Sequence, residues 1–366
     1  MLRNELDTPC LILRREIFEE NLRLMRDMAL AKGKKLRPHA KTHKCPEIAK
    51  RQMAAGNCAG VCAAKLSEAE GLVAAGLSQV LITSPVALPA KCEGLAKLNA
   101  AAQELIVVLD SAESAHLAEA AAIASGRKVK VLVDIDPEMG RTGVAFDVAP
   151  EFAKYVAAFP HLELVGAQCY AGHLQHVVGA SIRYGESRRL MERGAAAYRE
   201  IRALYPSCQI FTGAGTGTSA GDLEVPEVTD IQVGSYCVMD AEYLGACGKD
   251  IPFKPALRML SSVVSANHPG MATIDAGTKA IYVTPGAPPL RIEGDTLCPE
   301  WTYDWSFGDE HGRLIFPKEE SVKAGDLVEL VVSHCDPTIN LADKLYVLEG
   351  NEVTDIWSIT LRGCCQ

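Results

Sequence analysis

The feature of the sequence that most constrains the fold is an alternation of short apolar runs with longer segments rich in Ala, Leu and Glu, which extends over residues 10–245. The apolar runs are continuous, as in VKVLVDID at 129–136, and this is typical of parallel strands covered on both faces. About eight strand–helix repeats in roughly 230 residues match the arithmetic of a (β/α)8 barrel. A doubly wound sheet is the main rival, but it usually has fewer strands and carries a GxGxxG motif in its first turn, which this chain lacks. The pattern therefore predicts an α/β fold based on a TIM barrel.

Individual elements of this barrel can be located approximately. The predicted strands lie at 10–13, 36–41, 59–63, 79–83, 105–110, 129–136, 162–170, 209–212 and 230–234, and the predicted helices at 15–32, 46–55, 67–75, 112–124, 147–158 and 181–204. Ser67 and Glu70 have the spacing of a capping box at the start of the third helix.

The pattern changes after about residue 250, where Pro and Gly become frequent and long helical segments end. Further strands are predicted at 257–266, 271–276, 279–283, 326–332, 344–349 and 352–359, with turn signals such as Glu349-Gly350-Asn351 between them. We therefore expect two domains: a barrel at 10–248 and an all-β domain formed by 1–9 together with 249–366.

Composition excludes several classes of protein. The 366 residues are 48 % hydrophobic and 23 % charged, which is the balance of a chain that buries a sizeable core. A net charge of −9 and only 6 % aromatic residues give no electrostatic reason to expect nucleic-acid or membrane-surface binding. No apolar run reaches the roughly 20 residues that span a bilayer. The 13 scattered cysteines and the absence of an apolar signal segment at the amino terminus predict a reduced, cytoplasmic protein.

The segment RPHAKTHK at 37–44 is the most informative candidate for chemistry. It follows an early strand, on the face where barrel enzymes build their active sites. Lys41 lies between His39 and His43, with Arg37 upstream. Partial burial among cationic neighbours would lower the pKa of its amine and favour Schiff-base formation. The alternative is a solvated basic loop.

A glycine-rich turn, TGAGTGT at 212–218, follows the seventh or eighth predicted strand. Alternate glycines leave backbone N–H groups able to point at one anion, and barrels commonly bind phosphate at this position. A flexible turn is the alternative. Together with a Schiff-base lysine, the turn suggests pyridoxal phosphate, a cofactor that carries both an aldehyde and a phosphate.

The segment SHCD at 333–336 ends an apolar strand. If the strand continues through Asp336, His334 and Asp336 point to one face and Cys335 to the other. One imidazole and one carboxylate suit a divalent cation that keeps open positions. A His–Asp hydrogen bond at a strand end is the alternative.

Two further strand ends carry polar groups. Arg141 lies in a glycine-flanked turn, where it could contact a ring oxygen or a carboxylate, or form an ordinary salt bridge. Gln168 and Tyr170 offer hydrogen-bonding groups and an aromatic plane, and His173 and His176 follow them. A surface histidine is the alternative for His173.

Taken together, these segments resemble the fold-type III pyridoxal-phosphate enzymes, the alanine-racemase-like barrels, and within them the D-threonine aldolase and D-serine dehydratase group. The matching segments, in order from residue 7 to about 341, are DTPCLIL, RPHAKTHK, GRTGV, GAQCYAGHLQH, GAGTGT, QVGSYCVMD, DEHG and SHCDPTINL.

The resemblance implies a role for each matching residue. Lys41 is implied as the Schiff-base lysine, and His334 and Asp336 as the metal ligands. The cofactor phosphate is assigned to Thr212, Gly213, Gly215, Thr216 and Gly217, with Gly234, Ser235 and Tyr236 nearby, and the cofactor ring to Arg141, Gln168 and Tyr170.

The resemblance also implies an activity. For dehydratases that act on D-serine, the resemblance implies a His-x-Cys metal motif. In this chain Asp336 stands in place of that cysteine, and its harder oxygen ligand favours Mn²⁺ or Mg²⁺, with Zn²⁺ as a further option. We predict a lyase that cleaves D-3-hydroxy-amino acids such as D-threonine to glycine and an aldehyde. A metal-bound water or His176 would take the hydroxyl proton.

Three alternatives stay open at this point. The His-x-Asp pattern is also expected for dehydratases acting on D-3-hydroxyaspartate, so elimination to a keto acid and ammonia is the second hypothesis. A non-catalytic cofactor carrier is a third, although such proteins are usually a bare barrel. Racemisation is a fourth, but it would leave the metal pair without a task. Relatives commonly pair as homodimers, and we expect the same here.

Overall fold

Two separate sheets contain the strands of the chain in the computed structural model, which describes residues 1–366. In chain order the strands are β1 Cys10–Arg14, β2 Lys35–Leu36, β3 Val61–Ala63, β4 Gln79–Ile82, β5 Glu104–Leu109, β6 Val129–Ile135, β7 Leu162–Cys169, β8 Ile210–Gly213, β9 Asp230–Ile231, β10 Leu257–His268, β11 Met271–Ile274, β12 Leu290–Glu293, β13 Thr296–Leu297, β14 Thr302–Asp304, β15 Gly312–Ile315, β16 Leu327–Val331, β17 Lys344–Glu349 and β18 Glu352–Ser358.

The α-helices are α1 Arg15–Ala31, α2 Pro46–Ala54, α3 Leu66–Ala74, α4 Cys92–Ala101, α5 Ala112–Ser125, α6 Ala149–Ala157, α7 Ala180–Leu204, α8 Ser219–Asp222, α9 Ala241–Cys247 and α10 Cys335–Ile339. Short 3-10 turns occur at Arg3–Glu5, Ala40–Thr42, Pro89–Lys91, Gly172–Leu174, Ser235–Cys237 and Gly248–Asp250. No helix is both long and apolar enough to cross a membrane.

The first sheet is the predicted barrel. Its eight strands are all parallel and run in the order β2-β9-β8-β7-β6-β5-β4-β3. Parallel bridges from Leu36 to Cys58 and from His39 to Cys62 join its two ends. Helices α3 to α7 pack against the strands that flank them. The (β/α)8 prediction is therefore confirmed.

A continuous apolar cluster explains why the barrel strands carry unbroken hydrophobic runs. It consists of Cys62, Leu81, Ile106, Val108, Leu132 and Val165, with Ile210 packed against it. These residues come from consecutive strands β3 to β8, so the cluster runs across most of the sheet. Burial of this many side chains at about 25 cal/mol per Å² of apolar surface is the dominant stabilising contribution to such a unit.

The second sheet is mainly antiparallel and belongs to the carboxy-terminal half of the chain. Its central order is β13-β12-β16-β10-β1-β17-β18, and β11, β15 and β14 form an extension from β10. Its core contains Leu6, Ile12, Leu260, Tyr346 and Leu348. A second domain based on a mostly antiparallel sheet is therefore present, but it also contains helices α9 and α10 and so is not all-β.

The assignment of the first predicted strand to the barrel is wrong. Strand β1 pairs antiparallel with β10 and parallel with β17, so that Leu11 lies opposite both Met259 and Leu345. A short, fully apolar run suits the centre of either kind of sheet, and the sequence pattern alone does not distinguish them.

The compact units consequently differ from the expected division at residues 9 and 249. One unit, the sheet unit, contains Met1–Leu24, Thr42–Glu47 and Ser235–Arg362, and the other, the barrel unit, contains Met25–Lys41, Ile48–Gly234 and Gly363–Gln366.

Some local predictions also fail. No strand forms at 279–283, and the predicted capping box is wrong because α3 begins at Leu66. The carboxylate that serves this helix start is Glu68, which accepts hydrogen bonds from the N–H groups of Ala64 and Lys65 at 2.6 and 3.1 Å. Helix α4 and strands β12 to β15 were not predicted.

Candidate active site

The segment after β2 places Lys41 at the carboxyl edge of the barrel sheet. The backbone continues alongside β9 beyond the end of β2, since Arg37 N and His39 N donate to Ile231 O and Val233 O, both at 2.9 Å. The following 3-10 turn, Ala40–Thr42, contains Lys41, whose side chain is half-buried. Arg37, His39, His43 and Lys44 are all buried, so the alternative of a solvated basic loop is wrong.

His39 holds the backbone next to Lys41 through a defined tautomer. The Thr83 hydroxyl donates its one proton to Ala63 O at 3.2 Å. The contact of 3.0 Å between His39 Nε2 and Thr83 Oγ1 therefore requires Nε2 to be the donor. The lone pair of Nδ1 then accepts the Lys41 N–H at 3.5 Å. His39 thus acts on the main chain of Lys41.

Arg37 is paired with a carboxylate in the barrel interior. Its Nε donates to Asp230 Oδ1 at 3.0 Å, and Thr212 Oγ1 donates to the same oxygen at 2.7 Å. Burial alone would lower the pKa of Arg37, but the charge and hydrogen bond of Asp230 outweigh it and raise that pKa. Asp230 therefore neutralises the positive charge of Arg37, and this opposes the predicted lowering of the Lys41 pKa by that charge.

The glycine-rich turn follows β8 as predicted. Two of its glycines are needed because neighbouring atoms leave no room for a side chain. A Cβ at Gly217 would lie 2.0 Å from Gln175 O, and one at Gly215 would lie 2.4 Å from Gln175 Oε1. Gln175 Oε1 accepts the Gly217 N–H at 3.0 Å, so this donor is already engaged within the protein. Ala214 has a left-handed backbone, φ +65°, which is uncommon outside glycine and is often found at functional turns.

Buried polar side chains hold this turn in place. Arg183, which is fully buried, donates from Nε to Gly217 O at 2.7 Å. Asp222 accepts the hydroxyls of Thr218 and Ser187 at 2.6 and 2.5 Å. Burial raises the pKa of Asp222 to about 6, although both hydroxyl donors oppose the shift. All residues from 212 to 219 are buried, so the alternative of a flexible turn is not supported.

The ends of β6 and β7 bring the predicted ring-binding residues together. Arg141, Gln168 and Tyr170 line one small recess, and the Arg141 guanidinium carbon lies 5.4 Å from the centre of the Tyr170 ring. Gln168 Nε2 donates to Asp134 Oδ1 at 2.8 Å, and Gln168 Oε1 accepts from Gln232 Nε2 at 2.9 Å. Burial raises the pKa of Asp134 to about 6.

The candidate metal motif has a different local structure from the one predicted. Strand β16 ends at Val331, and His334 is instead the residue before helix α10, whose first turn contains Asp336. The prediction that His334 and Asp336 lie on one face of a strand is therefore wrong. Cys335 is fully buried at the start of that helix, whereas the side chains of His334 and Asp336 are half-buried.

His334 is held by acidic groups that the sequence analysis did not identify. Its Nδ1 lies 2.9 Å from Asp240 Oδ2 and 3.2 Å from Glu242 Oε2. Burial alone would lower the pKa of His334, but the hydrogen bond and charge of Asp240 outweigh burial and raise that pKa. Donor atoms of Asp240, His334 and Cys335 all lie within 4.8 Å of one another.

The remaining predicted residues lie as follows. Gly234, Ser235 and Tyr236 are buried, the last two in a 3-10 turn. His176 is exposed, next to Gln175.

Three functional candidates were missed by the sequence analysis: Asp240, Gln175 and Arg183. Asp240 had a readable signal, because an Asp before a short helical run is a typical N-cap. Gln175 lies within the quoted GAQCYAGHLQH segment, whereas nothing in the sequence distinguishes Arg183 from other helical arginines.

This fold and set of residues define a barrel enzyme of the alanine-racemase type. Residues 14–242 match the family model described as alanine racemase, N-terminal domain, and residues 256–348 match a second model, described as a serine dehydratase domain. Since the first match covers more than half of the chain, the chain belongs to the alanine racemase N-terminal domain family.

Individual relatives have names that are more specific than the family description. A D-threonine aldolase of Arthrobacter sp. is 38 % identical over 98 % of this chain and 93 % of its own length. A 3-hydroxy-D-aspartate aldolase of Paracoccus denitrificans is 34 % identical over 99 % of this chain and 94 % of its own. The crystal structure of D-threonine aldolase from Filomicrobium marinum superposes with a TM-score of 0.93 at 35 % identity, covering 99 % of this chain and 97 % of that one. A D-threo-3-hydroxyaspartate dehydratase of Delftia sp. is 28 % identical over 75 % of this chain and 73 % of its own length.

Proposed function

We propose that this chain is a carbon–carbon lyase that cleaves D-3-hydroxy-amino acids of the D-threonine kind to glycine and an aldehyde, using pyridoxal phosphate and a divalent cation. The observation that carries the proposal is the arrangement at His334, whose Nδ1 is engaged by a buried carboxylate and which is followed two residues later by Asp336. The whole-length similarity to two aldolases supports the same activity.

The barrel unit fits pyridoxal phosphate. The buried turn after β8, with its left-handed Ala214, is suited to an anion because successive N–H groups in such turns face one side. When bound, the cofactor accepts the electron pair that the breaking Cα–Cβ bond releases. Lys41 would hold it covalently through Nζ. The residues proposed to bind its phosphate are Thr212, Gly213, Gly215, Thr216, Gly217, Gly234, Ser235 and Tyr236, and those proposed for its ring are Arg141, Gln168 and Tyr170.

The sheet unit fits a hard divalent cation. His334 Nε2 and the Asp336 carboxylate are one nitrogen and one oxygen donor, a set that suits Mn²⁺ or Mg²⁺ and leaves positions open for a substrate. When bound, the cation lowers the pKa of a hydroxyl group that it touches. His334 and Asp336 would hold the cation, and the substrate β-hydroxyl would take an open position.

We assign the removal of the β-hydroxyl proton to His176. Its side chain is exposed, so it can exchange that proton with solvent. A neutral imidazole carries one nitrogen lone pair that can accept a proton, which suits a general base.

Elimination of ammonia is the second candidate function, because a dehydratase is among the relatives. The two aldolase relatives are 38 % and 34 % identical over nearly the whole chain, whereas this dehydratase is 28 % identical over 75 % of it, and this difference favours cleavage over elimination.

A product assay separates the two functions. The purified enzyme, loaded with pyridoxal phosphate, is incubated with D-threonine and with D-3-hydroxyaspartate, with Mn²⁺ and after exhaustive treatment with EDTA. We expect glycine in stoichiometric amounts with aldehyde and a loss of turnover on chelation. Ammonia without glycine would establish the dehydratase, and full turnover after chelation would refute the role of the cation. A homodimeric state and a cytoplasmic location belong to the same proposal, and light scattering of the holoenzyme tests the first.

A further inference from the structure

Asp240 is a fully buried carboxylate in the sheet unit whose oxygens are all engaged. Its Oδ1 caps helix α9 by accepting the Tyr243 N–H at 3.0 Å. Its Oδ2 accepts the Cys335 N–H at 3.0 Å and faces His334 Nδ1 at 2.9 Å. A carboxylate that already accepts three hydrogen bonds within a buried site is poorly placed to bind a cation as well.

The main chain fixes Asp240 against His334. The N–H groups of Ala241 and Glu242 donate to Val332 O and Ser333 O at 2.9 and 3.2 Å. These two bonds tie the start of α9 to the segment that leads into His334. The side chains of Asp240 and His334 are therefore in contact because the backbone segments that carry them are hydrogen-bonded to each other.

This contact determines which ring nitrogen of His334 carries the proton. An ionised carboxylate can only accept, so Nδ1 has to be the donor. In a neutral imidazole with a proton on Nδ1, the lone pair lies on Nε2 and is available to a cation. Glu242 Oε2, at 3.2 Å from the same nitrogen, favours the same tautomer from a more exposed position.

We propose that Asp240 is a positioning residue for the metal centre, which fixes His334 in the tautomer that presents Nε2 and so sets the affinity for the divalent cation. The proposal rests on the metal dependence of the proposed function. Asp240, His334 and Cys335 lie close enough to form a three-ligand cluster, but the proposal gives them different roles. His334 binds the cation, Asp240 orients the His334 ring, and the fully buried Cys335 donates its backbone N–H to Asp240.

The test compares Mn²⁺ binding by the wild-type holoenzyme and by Asp240→Asn, measured from the free Mn²⁺ signal in electron paramagnetic resonance, without substrate. The asparagine keeps the shape and one carbonyl oxygen, but its NH₂ group cannot accept from Nδ1. We expect Mn²⁺ binding to weaken about 10–100-fold, the range typical for the loss of a partner of a ligating histidine. Glu242→Gln should weaken it less, because Asp240 remains.

Two controls separate orientation from stability. Ser111→Ala removes another helix N-cap, on α5 in the barrel unit, where Ser111 Oγ accepts the Ser114 N–H, and should leave Mn²⁺ binding unchanged. Asp240→Ser retains a capping oxygen for α9 but is too short to reach His334, so it should fold and still bind Mn²⁺ weakly. His334→Ala gives the baseline for loss of the ligand.

The tautomer itself can be read in the metal-free wild-type protein by long-range ¹⁵N–¹H correlation of labelled histidine, with His334→Ala identifying the signal. A proton on Nδ1 supports the proposal, and a proton on Nε2 alone overturns it. Wild-type Mn²⁺ affinity in Asp240→Asn also overturns it, while leaving the proposed function intact. Failure of the wild-type enzyme to bind Mn²⁺ would remove the metal from the proposed function and this inference with it.

Discussion

Lys41 combines a half-buried side chain with a constrained backbone. The turn that carries it is anchored on one side by the pairing of Arg37 and His39 with the segment after β9. His39 adds a hydrogen bond to the Lys41 N–H. Such fixing of the main chain would matter for the proposed covalent anchor, because a shift of about 1 Å in a reacting group can cost on the order of 100-fold in rate.

Replacement of Lys41 by Ala should abolish both the visible absorbance of bound cofactor and the cleavage of D-threonine, because no other amine is proposed to hold the cofactor. Absorption spectra of the purified protein and the glycine assay measure the two effects. Lys50→Ala, at an exposed position on helix α2, is the matched control and should behave as wild type. A Lys41→Ala protein that retains the wild-type spectrum would show that another residue is the anchor.

Asp222 makes the stability of the protein depend on pH. Its pKa is raised from 3.8 to about 6, so between these values the folded state binds a proton that the unfolded state has lost. Stability therefore rises as pH falls from above 6 towards 4, by up to about 3 kcal/mol at 1.36 kcal/mol per pKa unit. Asp222→Asn cannot titrate, so we expect a shallower rise in its unfolding free energy over this range. Urea denaturation of both proteins from pH 4 to 8 measures the difference, and identical slopes would contradict it.

At the residue scale, the sequence supports a prediction where unusual residue types are concentrated within a few positions. Lys41, Arg141 and His334 were singled out in this way, and their roles stay predictions. Gln175, Arg183 and Asp240 act through partners 34 to 95 positions away, and such pairs are created only by the fold.

At the scale of elements, the turn after β8 and the loop after β7 form one packed unit. Gly213 and Gly217 are needed because Cys169 O and Gln175 O approach their α-carbons more closely than any side chain allows. The predicted role of the same glycines was to leave N–H groups that can point at an anion. Both explanations call for glycine, so the close packing neither confirms nor excludes the predicted phosphate site.

Gly217→Ala should weaken the binding of pyridoxal phosphate at least tenfold, because its Cβ would lie 2.0 Å from Gln175 O and force the turn away from that loop. Spectral titration of the cofactor-free protein measures the affinity. Gly185→Ala is the control: this glycine lies in α7 with open space around it, and alanine there should preserve affinity and stabilise the helix by about 0.5–1 kcal/mol. Equal cofactor affinity in the two variants would argue against a packed role for Gly217.

Element boundaries were least predictable where hydrogen bonding rather than hydrophobic pattern decides them. The apolar run before His334 continues smoothly, yet the strand stops and α10 begins, because Asp240 accepts the Cys335 N–H and the Thr338 hydroxyl donates to His334 O. Whether the chain forms a strand or a helix at such a point depends on a carboxylate that is distant in sequence. The long periodic helices α5 and α7, which need no such partner, were predicted to within one residue.

At the scale of the whole chain, the barrel was predictable because its strands and helices repeat in sequence, whereas the sheet unit takes β1 from the other end of the chain. A buried ion network helps to explain why β1 belongs there. Glu329 on β16 pairs with Arg3 and Arg14 through Oε1 at 2.7 and 2.5 Å, and with Arg258 through Oε2 at 2.9 Å. One carboxylate thus joins the amino-terminal segment to two strands of the sheet unit.

Removal of the negative charge in Glu329→Gln should destabilise the sheet unit by about 3–5 kcal/mol, since it leaves three guanidinium groups without the carboxylate that they share. Burial alone would raise the pKa of Glu329, but hydrogen bonds and charges of Arg14 and Arg258 outweigh it and lower that pKa. The contribution is therefore present above the ordinary pKa of glutamate and is lost as pH falls through the lowered value, so the variant and wild type should converge in strong acid.

Tryptophan fluorescence during urea denaturation measures this effect selectively, because Trp301, Trp305 and Trp357 all lie in the sheet unit. Glu93→Gln, in an exposed ion pair with Lys97 on α4, is the matched charge-neutralising control and should leave the transition unchanged. A small, pH-independent effect of Glu329→Gln would mean that packing alone holds β1 in the sheet, and that the arginines are satisfied by their other contacts, such as the ion pair of Arg258 with Asp295.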